Sequence, residues 1–150
     1  MSQFTDLIAQ LGEKTGLPLE VDEHNSCALE YEDLIICLQY REASEDIVIF
    51  APVTDPDKVA VLSEEVLRAA LKLAYNGVGT SRNFLGLFQE SLILSNYIEL
   101  NDLTPELLAV KLQAFAQAAV AVRAGILNLL QDVVSEESGS LDGDMLGLSV

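Results

Sequence analysis

A chain of 150 residues that is 50% hydrophobic, with 24 Asp and Glu against 8 Lys and Arg, reads as one domain with a net charge of -16. Such a field repels phosphate backbones and anionic lipid, so nucleic-acid binding is excluded and basic or apolar partners are favoured. With no run of 18 apolar residues and no basic-then-apolar leader, the expectation is a cytoplasmic chain without membrane insertion, its Cys27 and Cys37 reduced rather than bridged.

Phe4, Leu7, Ile8 and Leu11 recur at helical spacing and Gly16-Leu17-Pro18 supplies a stop, which predicts a short amphipathic helix over 2–15. Leu19 and Val21 alternate with Glu20 and Asp22 and predict a short strand closed by a polar turn at 23–26. Residues 27–31 and 34–40 read as a hairpin around Glu32-Asp33, followed by a strand over 47–53. That turn fixes a register: Tyr31 opposite Leu34, Leu29 opposite Ile36 and Cys27 opposite Leu38, all on one face with Tyr40, Ile47 and Ile49. The other face then receives Ala28, Ile35, Cys37, Val48 and Phe50 among Glu30, Gln39 and Arg41. One apolar face makes a core, and an apolar island within a polar rim on the second has the composition of an interface.

Pro52, Asp55 and Pro56 end the sheet segment, and Ser63-Glu64-Glu65 caps a helix that runs to about Tyr75 and stops at Asn76-Gly77. Leu62, Val66, Ala70 and Leu73 form one stripe, while Leu67, Leu71 and Ala74 form a second, so this helix needs two neighbours. Two strands over 83–88 and 91–100 turn at Gln89-Glu90, with Leu92, Ile93 and Leu94 apolar on both sides. Thr104-Pro105-Glu106 starts a final helix of about 30 residues. Its stripe is Leu108, Leu112, Phe115, Ala119, Val122, Ile126, Leu129 and Val133, beside small residues Ala114, Ala118, Ala121 and Gly125. From Ser135 to Val150 the period is lost and an acidic flexible tail is expected, leaving 1–134 as the domain.

Residues for chemistry are sparse. His24 falls in a turn, Cys27 and Cys37 lack the second pair a zinc site needs, and Gly77-Val78-Gly79 follows a helix without a Walker lysine. The expectation is no catalytic residue, no metal and no cofactor.

The element order α-β-β-β-α-β-β-α, an α+β fold with a twisted antiparallel sheet flanked by helices, resembles the class I type III secretion chaperones, the CesT or Tir-chaperone family. The resemblance covers about residues 2–134. Its most specific part is the helix end Leu71-Lys72-Leu73-Ala74-Tyr75-Asn76-Gly77, then Leu85-Gly86-Leu87, and Thr104-Pro105-Glu106 leading to Leu112-Gln113-Ala114-Phe115. Tyr75 between alanine and asparagine, and the loop 77–83, depart from the family pattern. The resemblance implies a bacterial homodimer, built around Leu67, Leu71, Ala74, Phe84, Leu92 and Leu94. It implies a partner too, the N-terminal segment of a secreted effector, held extended and delivered to the secretion machinery and its ATPase. Ile35, Cys37, Val48 and Phe50, with Phe4 and Leu7 of the first helix, are the expected effector-binding residues.

Two other readings compete. A cone-shaped α+β enzyme or small-ligand carrier would need polar groups converging in a closed pocket, for which His24, Tyr31 and Tyr40 are the supply. A structural dimerisation subunit would leave the long helix's stripe unburied within one domain.

Overall fold

The computed structural model describes residues 3–54 and 63–138, the last nine of these by their backbone. Helix α1 (Gln3–Thr15) leads into strands β1 (Ser26–Tyr31), β2 (Leu34–Arg41) and β3 (Asp46–Pro52). Helix α2 (Glu64–Ala74), strands β4 (Phe84–Phe88) and β5 (Ser91–Glu99) and the long helix α3 (Pro105–Ser138) follow. The strands form one antiparallel sheet in the order β1-β2-β3-β5-β4.

Local chemistry explains the boundaries. Gly16 at φ 75 closes α1, its N–H donating to the Gly12 carbonyl at 2.9 Å. Ser63 caps α2 by accepting from the Val66 N–H, and Thr104 caps α3 by accepting from the Leu107 N–H. Between β1 and β2, Glu32 and Asp33 both sit at positive φ, 45 and 67, which is the type I′ turn whose twist suits a two-residue hairpin. The paired residues are those the turn predicts: Tyr31 with Leu34, Leu29 with Ile36 and Cys27 with Leu38.

All three helices lie over one face of the sheet. Phe4, Leu7, Ile8 and Leu11 of α1 join Ile36, Leu38, Ile47, Ile49 and Leu94 from the strands, and Leu108, Phe115, Ala119, Val122 and Ile126 from α3, in a single buried cluster. Each large aliphatic side chain in it contributes about 1.5–3 kcal/mol of transfer free energy. The α3 helix is long and apolar enough to cross a membrane, but its stripe from Leu108 to Ile126 is buried against its own domain. That burial removes the free-standing dimerisation helix as a reading. Leu73 of α2 lies over Gly125 of α3, where an added Cβ would approach the leucine methyls at 3.1 and 3.2 Å. The glycine is what lets these helices meet.

Two expectations change. Leu19 and Val21 are extended and pack on the core without joining the sheet; the local bonds are Leu19 N–H to the Leu17 carbonyl and Asp22 N–H to the Ser26 carbonyl. Alternation supplied the burial, and the missing ladder partner withheld the strand. Helix α3 runs to Ser138, four residues into the stretch expected as tail, because Glu136 and Glu137 favour helix as readily as solvent. The Leu62 and Val133 ends of the helical stripes, and the breaking pair Asp55 and Pro56, lie outside the residues or side chains described.

Candidate partner-binding surfaces

Because β-strand side chains alternate, the residues adjacent to the core set must emerge on the opposite side. The ladder places Ala28, Cys37, Phe50, Ser95 and Phe84 in one row across all five strands. Gln39, Val48 and Tyr97 form the next row, and Glu30 with Ile35 begins another that Pro52, Ile93 and Gly86 continue. None of these apolar side chains belongs to the core cluster or packs against it. Ile35 is 48% exposed, Tyr97 53% and Phe84 55%, while Cys37, Val48, Phe50 and Ile93 are half-buried among one another. This is a bare apolar sheet face, left uncovered by the helices.

Its polar end is ordered. Arg41 donates through Nε and Nη2 to the two carboxylate oxygens of Asp46 at 2.8 and 2.7 Å, and Ser44 adds a third bond to that carboxylate at 3.0 Å. The guanidinium also covers the Tyr97 ring at 4.8 Å, and Tyr97 tilts against Phe84 with centroids 6.2 Å apart. Arg41 therefore holds Asp46 below the usual carboxylate range.

A second apolar surface lies on α2 and β4. Leu67, Leu71 and Tyr75 project from the outer side of α2, with Leu71 and Tyr75 each 73% exposed, and Val78 follows. Strand β4 is an edge with its outer side unpaired among the described residues, and Leu87 and Phe88 are exposed on its two faces. A cleft of about 390 Å³ lined by Ala74, Gly77, Arg82 and Phe84 joins helix to strand. The sequence marks Leu67, Leu71, Ala74 and Phe84 here. Tyr75, Val78, Leu87 and Phe88 were missed, although an aromatic beside a helix stop and two apolar neighbours in an edge strand were signals.

Other expected residues sit elsewhere. Phe4 is 0% exposed, its ring stacked on Tyr40 with centroids 5.7 Å apart, and Leu7 is buried beside it. Leu92 and Leu94 face the core under the helices, which leaves Ile93 as the outward member of that apolar triplet. Helical spacing marks a stripe as covered without saying by what.

Nothing here assembles a reaction centre among the described residues. His24 is exposed in the turn whose Asn25 carbonyl accepts from the Tyr40 N–H at 2.9 Å, the Tyr40 ring itself is stacked on Phe4, and no group of three potential metal ligands forms among the described residues. Burial pushes the Cys27 and Cys37 thiols up, so both are protonated and poorly nucleophilic near neutrality. The cleft of about 200 Å³ between β5 and α3 is lined by Asn83, Asn96 and Lys111. Its amides are already used: Asn96 donates to Asn83 Oδ1 at 2.8 Å, and Asn83 donates to the Thr80 carbonyl at 2.8 Å. They tether the loop before β4.

A sheet with one face sealed by helices and one left bare, beside an uncovered helix and edge strand, defines a domain made to hold other polypeptides. The chain belongs to the Tir chaperone protein (CesT) family, whose model matches residues 6–123. It is by that membership a type III secretion chaperone. A search of curated proteins finds no match.

Solved structures share the fold. A chain of the ExsC-ExsE complex superposes with a TM-score of 0.66 at 21% identity, over 80% of this chain and 90% of that one. The HopA1-SchA chaperone-effector complex gives 0.66 at 15% identity, over 81% and 94%. The Yersinia pestis type III secretion chaperone SycH, in complex with a fragment of YscM2, gives 0.58 at 17%, over 79% and 98%.

Proposed function

We propose that two copies of this chain join through α2 and β4 and hold the N-terminal segment of a secreted effector in extended form, ready for export. The observation that carries the reading is the bare face: Ile35, Cys37, Val48 and Phe50 offer apolar surface that no element among the described residues covers. An extended segment gains affinity by burying alternate side chains on such a surface and, at a free strand edge, by adding backbone hydrogen bonds. Ordering it costs on the order of 2–5 kcal/mol, which burial over a long stretch offsets. Phe4 and Leu7 are left out of this surface because the core already holds them.

The pairing surface is Leu67, Leu71, Ala74, Tyr75 and Phe84; Leu92 and Leu94 are left out of it because the core already holds them. Work of this kind belongs in the bacterial cytoplasm, without catalysis or cofactor, with hand-over of the effector to the secretion ATPase as its last step. That the HopA1-SchA neighbour is a chaperone-effector complex supports the reading.

Co-expression with candidate effectors, followed by size-exclusion chromatography and mass measurement, tests it. The expected result is two copies with one effector segment. Val48→Asp is expected to abolish the complex while the free dimer stays folded, and a complex that survives this substitution overturns the assignment of the bare face.

A further inference from the structure

We propose that the segment taken by the bare face is cationic at both ends and apolar in the middle, with Lys or Arg bracketing about eight extended residues. This rests on the client-holding reading and adds the chemistry by which a client is chosen.

The argument starts from how unevenly charge is distributed. Residues 3–54 carry eleven Asp and Glu against Lys14 and Arg41, whereas residues 63–129 carry six against Arg68, Lys72, Arg82, Lys111 and Arg123. The end of α3 adds Asp132, Glu136 and Glu137, so most, though not all, of the net charge of the described residues comes from α1 and the β1–β3 half. The α2–β4 half is close to neutral, so two strongly acidic chains can approach through it with little repulsion.

Within the acidic half the charges sit at the ends of the apolar strip. Glu32 and Asp33 form the β1–β2 turn, and Glu42 and Glu45 lie in the β2–β3 turn at the opposite end of β2. All four are exposed, and none is in an ion pair among the described residues. Between them run the eight residues of β2, about 26 Å at 3.3 Å per residue. Ile35, Cys37, Val48 and Phe50 occupy that interval. The sole cation among the bare-face strand residues, Arg41, is engaged by Asp46 and Tyr97. An incoming segment thus meets acid, then apolar surface, then acid.

Apolar burial would hold the centre and the exposed carboxylates would select the flanks, more strongly at the β2–β3 turn because Arg123 donates to the Glu32 carbonyl at 3.0 Å and offsets part of the charge at the β1–β2 turn. Rim charges act mostly on encounter rate and on rejection of wrong partners, and salt screens them. A segment with acidic flanks would be refused although its centre fits.

Three fluorescein-labelled dodecapeptides test this on the full chain: Lys-Lys-Val-Ser-Val-Ser-Val-Ser-Val-Ser-Lys-Lys, and the same peptide with glutamine or glutamate in place of every lysine. Polarisation titrations at low and high salt should rank them lysine, glutamine, glutamate, with about a tenfold step from lysine to glutamine at 50 mM salt that shrinks at 500 mM. The variant Glu32→Gln, Asp33→Asn, Glu42→Gln, Glu45→Gln should remove that step. A control losing the same charge elsewhere, Asp6→Asn, Glu13→Gln, Glu65→Gln, Asp102→Asn, should keep it.

Equal loss in both variants, equal affinity for the three peptides, or binding of none overturns the proposal. Equal affinities that Val48→Asp abolishes would leave the bare-face reading standing and only the charge rule fallen. Lysine-peptide binding that Val48→Asp does not touch would remove the bare-face reading itself.

Discussion

Val48 and Ile49 are chain neighbours with similar side chains, yet one lies on the bare face and the other is 1% exposed beneath the helices. The same contrast extends over the sheet: Cys37 against Ile36, Ile93 against Leu94. Hydropathy alone assigns such pairs to one class. Only the parity of the strand separates what holds this domain together from what it offers to others, and a single-residue slip would exchange the two roles.

The contrast can be tested from its sealed side first. Phe4→Ala removes a fully buried ring from the helical lid over that face, and chemical denaturation should show a loss of about 3–5 kcal/mol. A loss below about 1 kcal/mol would mean that α1 is not part of the core and that its stripe is available to partners. Ile49→Ala should cost about 2–4 kcal/mol by the same cavity mechanism, while Val48→Ala should cost about 1 kcal/mol or less because its side chain is only half-buried and leaves no enclosed cavity. Equal costs for the two would erase the distinction between the faces.

The second uncovered surface gives a different readout. Leu71→Glu puts a charge on a residue 73% exposed in the single chain, so the fold should change by less than about 0.5 kcal/mol. The mass in light scattering should halve. The smallest effect concerns the hairpin that sets the parity: Asp33 sits at φ 67, and Asp33→Gly should stabilise by about 0.5 kcal/mol in thermal unfolding. No gain there would show that the turn is not strained.

The hairpin is also where the sequence is most legible. Two polar residues between alternating runs determine the β1–β2 register, which pairs Cys27 with Leu38, and alternation then puts Ile49 on the core face and Ala28, Cys37 and Phe50 on the other; the partners of Ile49 and Phe50 come from the structure. The double stripe of α2 is legible for a similar reason, since one helix cannot turn Val66 and Leu67 to the same neighbour. Helix α1 is less so. Its stripe of Phe4, Leu7, Ile8 and Leu11 announces a partner surface, and whether that surface is the domain's own sheet depends on a chain reversal that local spacing does not encode. Leu92 and Leu94 are ambiguous because Ile93 between them is equally apolar, so parity has no polar residue to mark it. Leu19 and Val21 alternate like a strand, but a strand is made by its neighbour's backbone.

The two cysteines stand back to back through the sheet, Cys27 1% exposed on the helix side and Cys37 on the bare side. Maleimide labelling of the folded protein should therefore modify Cys37 and spare its twin, with full modification of both only after denaturation. Labelling of either thiol is slow near neutrality and is read above about pH 8, where whatever settles over β2 and β3 should shield the more accessible Cys37 in proportion to occupancy. The molecule thus has a built-in footprinting gauge, with an internal reference for unfolding, that reports cargo without any engineered label site.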